Sequence, residues 1–182
     1  MVTLEEVIMS RYTIRSLSSD DFAALAMLET SVFGAMGEAV LCPHYLRLCT
    51  ALFRESCFIA LDGDRPVGYL LSFVRGREAT CTTLAVIPEY QRKRVTVDLI
   101  AAFVRHIVDR VDVCWFTVKE DNAPARAVHA MLGAVEVDRR KDYYGPGDER
   151  IVSMIDRATL ERMRPKYERL GFIPPRAVAE AA

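Results

Sequence analysis

The chain has 182 residues, 51% of them hydrophobic and 27% charged, which is enough for one domain with a substantial buried core. Its 24 Lys and Arg against 25 Asp and Glu give a net charge of −1, so no long-range attraction to nucleic acid or membrane is implied. No apolar run approaches the roughly 20 residues of a bilayer-spanning helix. Cys42, Cys49, Cys57, Cys81 and Cys114 are odd in number, lack C-x-x-C spacing and sit among apolar residues. They read as reduced core thiols of a cytoplasmic protein, with no metal site.

Residues 1–10 are expected to be a leader, and Met9 is an alternative start. The opening M-V-T-L-E-E-V-I-M-S-R-Y has neither the basic start nor the apolar run of a signal peptide. Tyr12–Leu17 alternates like an edge strand. Ser18-Ser19-Asp20-Asp21 then offers helix caps ahead of a stripe at Phe22, Leu25, Ala26, Val32 and Phe33. Gly34 and Gly37 break that helix, and Pro43 starts a second, whose inward face is predicted at Tyr45, Leu48, Cys49 and Leu52. Two strands, Cys57–Leu61 and Val67–Val74, flank the turn D-G-D-R-P. Arg75-Gly76-Arg77-Glu78 leads to a strand at Thr82–Ile87, stopped by Pro88.

After a polar loop, Ile100, Phe103, Val104, Ile107, Val108 and Val111 form the apolar stripe of a central helix, with Asp98, Arg105 and Asp109 on the wet side. Asp112–Val118 is a further buried strand. Asn122 caps a helix with Pro124 in its first turn, Gly133 as its stop and Ala125, Val128, His129 and Leu132 on one face. A strand from Val135 through Tyr143-Tyr144 turns at Gly145-Pro146-Gly147-Asp148 into Arg150–Ile155. Beyond Asp156 a helix is predicted through Met163, interrupted by Pro165, then a mobile tail. The order is β-α-α-β-β-β-α-β-α-β-β. The middle connections are too short for crossovers, and the central helix makes Thr82–Ile87 and Asp112–Val118 parallel neighbours.

The strand, loop and helix around Thr82–Arg110 aim unpaired N–H groups and the positive end of a helix dipole at one spot, which suits a phosphate. G-x-x-x-x-G-K-[ST] and G-x-G-x-x-G are both absent. The stretch L-A-V-I-P-E-Y-Q-R-K-R-V-T-V-D-L-I instead resembles the acetyl-CoA segment of the GNAT N-acetyltransferase superfamily, a strand ending L-A-V-x-P followed by [QR]-x-x-G-x-[GA] at a helix start. Gln91 fills the first motif position, whereas Arg94 stands at the glycine and Thr96 at the glycine or alanine. Asn122, Ala125 and Gly133 match a second family pattern, N-x-x-A-x-x-x-Y-x-x-x-G-F, in which His129 replaces the tyrosine and Ala134 the phenylalanine.

The resemblance implies an α/β (α+β) fold with a mixed, mostly antiparallel sheet of about seven strands flanked by helices. It implies a domain over residues 11–156, with a C-terminal extension and tail over 157–182. The implied activity is direct transfer of an acetyl group from acetyl-CoA, as co-substrate, to a primary amine of a small molecule or protein. The alternative is a non-catalytic module of the same fold that binds acyl-CoA or a partner protein. Leu84, Ala85 and Val86 are then expected to pair with the pantetheine arm through their backbone, with the Val86 N–H polarising the thioester. Gln91, Arg92, Lys93, Arg94, Val95 and Thr96 are expected at the diphosphate, together with Asn122 from the second pattern. Arg94 either points outward and pairs with a phosphate or closes the loop, and Thr96 either meets phosphate or caps the helix.

His129 is a candidate proton donor to the leaving thiolate if it is held protonated, and otherwise a core histidine. Tyr143 and Tyr144 are alternative donors or groove residues, and Glu78 is the one carboxylate near the strand that could act as base. The acceptor cleft is expected between Phe33–Tyr45 and Tyr143–Asp148, for a monomer or homodimer.

Overall fold

The computed structural model describes residues 12–176, so the expected leader over 1–10 and the end of the tail lie outside the described residues. Strands β1 (Thr13–Ser16), β2 (Phe58–Asp62), β3 (Arg65–Arg75), β4 (Glu78–Val86), β5 (Val113–Val118), β6 (Val135–Arg140) and β7 (Arg150–Asp156) form one sheet in the order β1-β2-β3-β4-β5-β7-β6. Helices α1 (Phe22–Val32), α2 (Pro43–Ala51), α3 (Val95–Ile107), α4 (Ala123–Met131) and α5 (Arg157–Arg169) complete the fold. Every strand pair is antiparallel except β4–β5, whose connection contains α3. The predicted order and the seven-stranded, mostly antiparallel sheet are what the structure contains.

The helices cover both faces of the sheet. On β3, Tyr69 meets Glu29 of α1, and Phe73 packs edge-on against Tyr45 of α2 at 5.6 Å. Phe73 pairs with Thr80 and Cys81 pairs with Phe116, so strand alternation turns Phe116 to the opposite face. There it meets Phe103 of α3 at 6.3 Å and His129 of α4 at 4.6 Å. Local signals hold as expected at the caps. Asp21 accepts the Ser18 N–H and hydroxyl at 2.7 and 2.9 Å, and Asn122 Oδ1 accepts the Ala125 N–H at 3.1 Å.

Several boundaries and faces differ from the sequence prediction. Strand β4 starts at Glu78, because the turn before it needs only Gly76 and Arg77. Strand β6 ends at Arg140, so Tyr143 and Tyr144 lie in the connection to β7. The inward seam of α2 is Leu46, Cys49 and Thr50, one residue on from the predicted stripe; Leu52 falls past the helix end and is 73% exposed. Asp98 is only 9% exposed, since Tyr12, Ile14 and Leu170–Phe172 wall the side of α3 that was expected to be wet. Pro165 lies inside α5, which buried Leu160 and Tyr167 pin to the core on either side of it.

Candidate functional site

A single extra residue interrupts the pairing of β3 with β4. Leu71 pairs with Thr83 and Ser72 with Cys81, which leaves Thr82 as a bulge in β4. Beyond this point the two parallel strands part: β4 pairs with β5 from Glu78↔Val113 to Cys81↔Phe116 and no further. Ile87 donates its N–H to Val67 O on β3 at 3.0 Å. By strand alternation the peptide groups of Ala85 also face β3, and those of Leu84 and Val86 face the gap. Of the three predicted backbone contacts, Leu84 and Val86 therefore present main-chain donors and acceptors to the opening, while Ala85 serves the sheet.

The loop at the wide end of the gap is moored on both sides. Gln91 Nε2 donates to Val86 O at 3.2 Å. Tyr90 donates its hydroxyl to Asp62 Oδ2 at 2.8 Å, Lys93 Nζ lies 4.4 Å from the Tyr90 ring centre, and Glu89 pairs with Arg65 at 2.8 Å. Arg94 is the α3 N-cap with φ −64° and ψ −17°, an ordinary conformation for a residue with a side chain. Its guanidinium lies back along the helix on Asp98 at 3.1 Å, in the groove beside Leu170–Phe172, so it does not fill the gap between β4 and β5.

The first α3 N–H with a partner four residues back is that of Asp98, on Arg94 O at 2.9 Å. The N–H groups of Val95 and Thr96 precede it at the helix start, where they have no partner within the helix. The loop's left-handed residue is Arg92, at φ 60°. Arg92→Gly is expected to raise stability by about 1 kcal/mol by relieving that conformation. Thermal denaturation should show a rise of about 2–4 °C.

On the α1/α2 face, each diverging strand carries a threonine bonded to a tyrosine. Tyr45 Oη donates to Thr82 Oγ1 at 2.9 Å, and Thr82 donates in turn to Leu71 O at 3.3 Å. Across the gap, Thr117 Oγ1 and Tyr144 Oη are 3.2 Å apart. Tyr143 lies edge-on to Tyr144 at 4.7 Å, and Arg150, held by Asp148 at 2.7 Å, lies 5.0 Å from the Tyr144 ring centre. Glu38, in the connection before α2, reaches Lys119 beyond β5 at 3.7 Å. One of the segments expected at an acceptor cleft thus touches β4 through Tyr45, and the other touches β5 through Tyr144. Tyr45 was predicted only as packing; its hydroxyl role depends on the bulge, which no local sequence signal marks.

Other predicted residues are placed differently. Glu78 is exposed at the closed end of β4, three residues below the last rung and roughly 10 Å along the strand from it, too far for a base acting in the gap. His129 packs on Phe116, and its Nδ1 is buried with no hydrogen-bond partner. Burial lowers its pKa to about 4, so it is neutral at physiological pH, which removes the protonated-donor role and leaves the core one. Asn122 is exposed, with its Oδ1 engaged by Ala125. Cys49, Cys57 and Cys114 are buried free thiols; burial pushes Cys81 up to about 12, whereas the hydrogen bond from Cys49 lowers Cys57, which lies inside the core and donates to Ser72 O at 3.3 Å, away from solvent. Among the described residues, no three His, Cys, Asp or Glu side chains group as a metal site would require, and no helix is long and apolar enough to cross a membrane.

An extended acyl-coenzyme A arm fits this arrangement. The peptide edge of Leu84 and Val86, left without a strand partner although Gln91 occupies the Val86 carbonyl, can hold it as an added strand, and the loop ahead of α3 carries outward N–H groups and the exposed cations of Arg92 and Lys93.

Comparison with known proteins agrees with this geometry. The chain is 35% identical over 78 residues to the [ribosomal protein bS18]-alanine N-acetyltransferase of Escherichia coli, a match covering 40% of this chain and 50% of that enzyme. It thus spans about half the length of the curated relatives it matches. Among solved structures, the Escherichia coli ribosomal-protein-S18-alanine N-acetyltransferase superposes with a TM-score of 0.65 at 22% identity, over 80% of this chain and 93% of that one. Arabidopsis thaliana Naa50, solved with the bisubstrate analogue CoA-Ac-MVNAL, gives 0.70 at 15% identity, over 80% and 99%. At these identities the likeness is one of fold. The model of the acetyltransferase (GNAT) family matches residues 22–134, well over half of the sequence, and the chain belongs to that family.

Proposed function

We propose that this protein is an acetyl-CoA-dependent N-acetyltransferase that passes the acetyl group directly to a primary amine, with the α-amine of a protein N-terminus as its acceptor. The observation that carries the proposal is the parting of β4 and β5 after Cys81↔Phe116, which leaves the peptide groups of Leu84 and Val86 facing an open slot. The acceptor class is suggested by the relatives, whose names include a ribosomal-protein alanine N-acetyltransferase. The free thiols suit a reducing compartment, and the cytoplasm is the location proposed.

Acetyl-CoA supplies an activated thioester. With the diphosphate at the α3 start, an arm running toward the closed end meets Val86 first and Leu84 second. The Leu84 N–H, nearer the last rung, is therefore assigned to the acyl oxygen in place of the Val86 N–H expected from the family resemblance, and Val86 holds the arm behind it. Arg92, Lys93 and the N–H groups of Val95 and Thr96 bind phosphate, while Gln91 locks the loop to β4 through Val86 O. Fixing two reactants in one slot supplies roughly 7–11 kcal/mol by itself. A thiol of pKa near 8.5 is a competent leaving group, so no strong protein acid is required. Tyr144, on Thr117 beside the gap, is the hydroxyl proposed to assist proton movement on the amine side.

Calorimetric titration with acetyl-CoA and desulfo-CoA, followed by thiol release with a panel of N-terminal peptides, tests this. One-site binding and turnover are expected, with about a tenfold loss of CoA affinity in the Arg92→Ala/Lys93→Ala double variant. Tight binding without turnover on any amine would instead identify a binding module, and no binding would remove the proposal.

A further inference from the structure

The chain of hydroxyls at the bulge has a fixed direction. The Leu71 carbonyl can only accept, so Thr82 Oγ1 must give its proton to it, at 3.3 Å. Thr82 then receives the Tyr45 proton at 2.9 Å. The Tyr45 oxygen is left with lone pairs and no proton to offer. The ring cannot swing away, because it packs edge-on against Phe73, with Phe53 on the same Phe73 ring at 4.7 Å. Burial raises the Tyr45 pKa, so the hydroxyl keeps the proton on which this polarity depends. Tyr45 is only half-buried and lies within electrostatic reach of Tyr144, the residue on the opposite lip of the gap.

Resting on the acetyltransferase reading above, we propose that the Tyr45 oxygen is an acceptor-side anchor that receives an N–H from the primary amine to be acetylated. A primary amine, neutral or protonated, has N–H groups to donate, whereas an alcohol or thiol acceptor has one proton that it must also lose. A lone-pair anchor on the lip of the slot therefore selects amines and turns the nitrogen toward the acyl carbon beside Leu84. Tyr144 can bond Thr117 as donor or acceptor and so does not impose this polarity. The bulge makes the pairing possible by aiming Thr82 at α2 at the level where the strands part.

The test is calorimetric. A hexapeptide amide beginning with alanine is titrated into protein saturated with desulfo-CoA, alongside the same peptide with its α-amino group replaced by hydrogen. Tyr45→Phe, which keeps the ring, is expected to weaken the amine peptide about tenfold and leave the amine-free peptide unchanged. In turnover the amine KM rises and the acetyl-CoA KM does not. Thr82→Val, which frees the tyrosine proton to point into the slot, should reproduce the loss, and Thr82→Ser should restore binding. An equal effect on both peptides, or none, would overturn the anchor in favour of simple packing. Wild-type protein that binds desulfo-CoA but not the amine peptide would also overturn it while leaving the cofactor assignment standing. Absence of desulfo-CoA binding would instead defeat the assignment itself.

Discussion

Replacing Gly68 with valine is expected to lower stability by about 3 kcal/mol and to impair coenzyme binding at the same time. Gly68 on β3 lies opposite Val86, and a Cβ there would come within 2.9 Å of the Ala85 carbonyl oxygen and 3.0 Å of Val86 Cγ2. The oxygen belongs to a peptide bonded into the sheet and cannot step aside as a flexible side chain would. The strain is relieved only by pushing β4 outward, which displaces the peptide groups of Leu84 and Val86 that line the slot. Thermal denaturation should show a midpoint about 6–12 °C lower, given roughly 2–4 °C per kcal/mol for a chain of this size. Desulfo-CoA titration should show weaker binding at a temperature where the variant is still folded. Gly68→Ala should move both readouts the same way by less. A midpoint unchanged to within a degree would mean that the strands separate more readily than their pairing indicates.

The second large effect is in the pH dependence of stability. His129 has a folded-state pKa of about 4, against 6.5 for an unperturbed imidazole, because burial penalises its charged form. Between these values the unfolded chain binds a proton that the folded chain refuses, so stability falls as pH drops from about 6.5 toward about 4. The loss attributable to this one group is on the order of 2–3 kcal/mol. His129→Phe should flatten the curve over that interval, because the ring still packs on Phe116 and no proton is taken up on unfolding. The variant should also gain stability at neutral pH, since Nδ1 no longer goes without a partner. Glu29, raised by burial and hydrogen-bonded to Tyr69 at 2.8 Å, gives a slope of opposite sign, so the difference between wild type and variant is the quantity to measure. Urea unfolding at a series of pH values supplies it. Identical slopes in the two proteins would show that the imidazole is not responsible.

The fold was legible because its signals are local. Pro88 stops a strand, Asn122 and Gly133 bracket a helix, and the stripe from Ile100 to Val111 fixes the face of α3. The loop ahead of α3 was legible as a pattern of residue types, and Arg94 does take the ordinary φ that an arginine requires. What could not be read depends on partners distant in sequence. Asp98 is buried by residues some 70 positions later, and the Tyr45 hydroxyl finds Thr82 across 37 residues. His129 looks equally suited to catalysis and to packing until its ring proves to pack on Phe116 with Nδ1 buried and unpartnered. The bulge at Thr82 was invisible because a run of threonines has no internal mark of where one residue will fall out of register.

A slot lined by peptide groups, such as the one proposed to hold the coenzyme, has an unusual relationship to mutation. Exchanging the side chains of Leu84 or Val86 leaves the N–H and C=O groups in position, so amino-acid replacement alone is a poor way to disable it. Counting matters more than identity. Removing Thr82 would let β4 and β5 zip together past their last rung and seal the opening without altering any other residue. Sequences can therefore drift far apart while keeping this architecture, provided that the length of one strand is held constant against its neighbour.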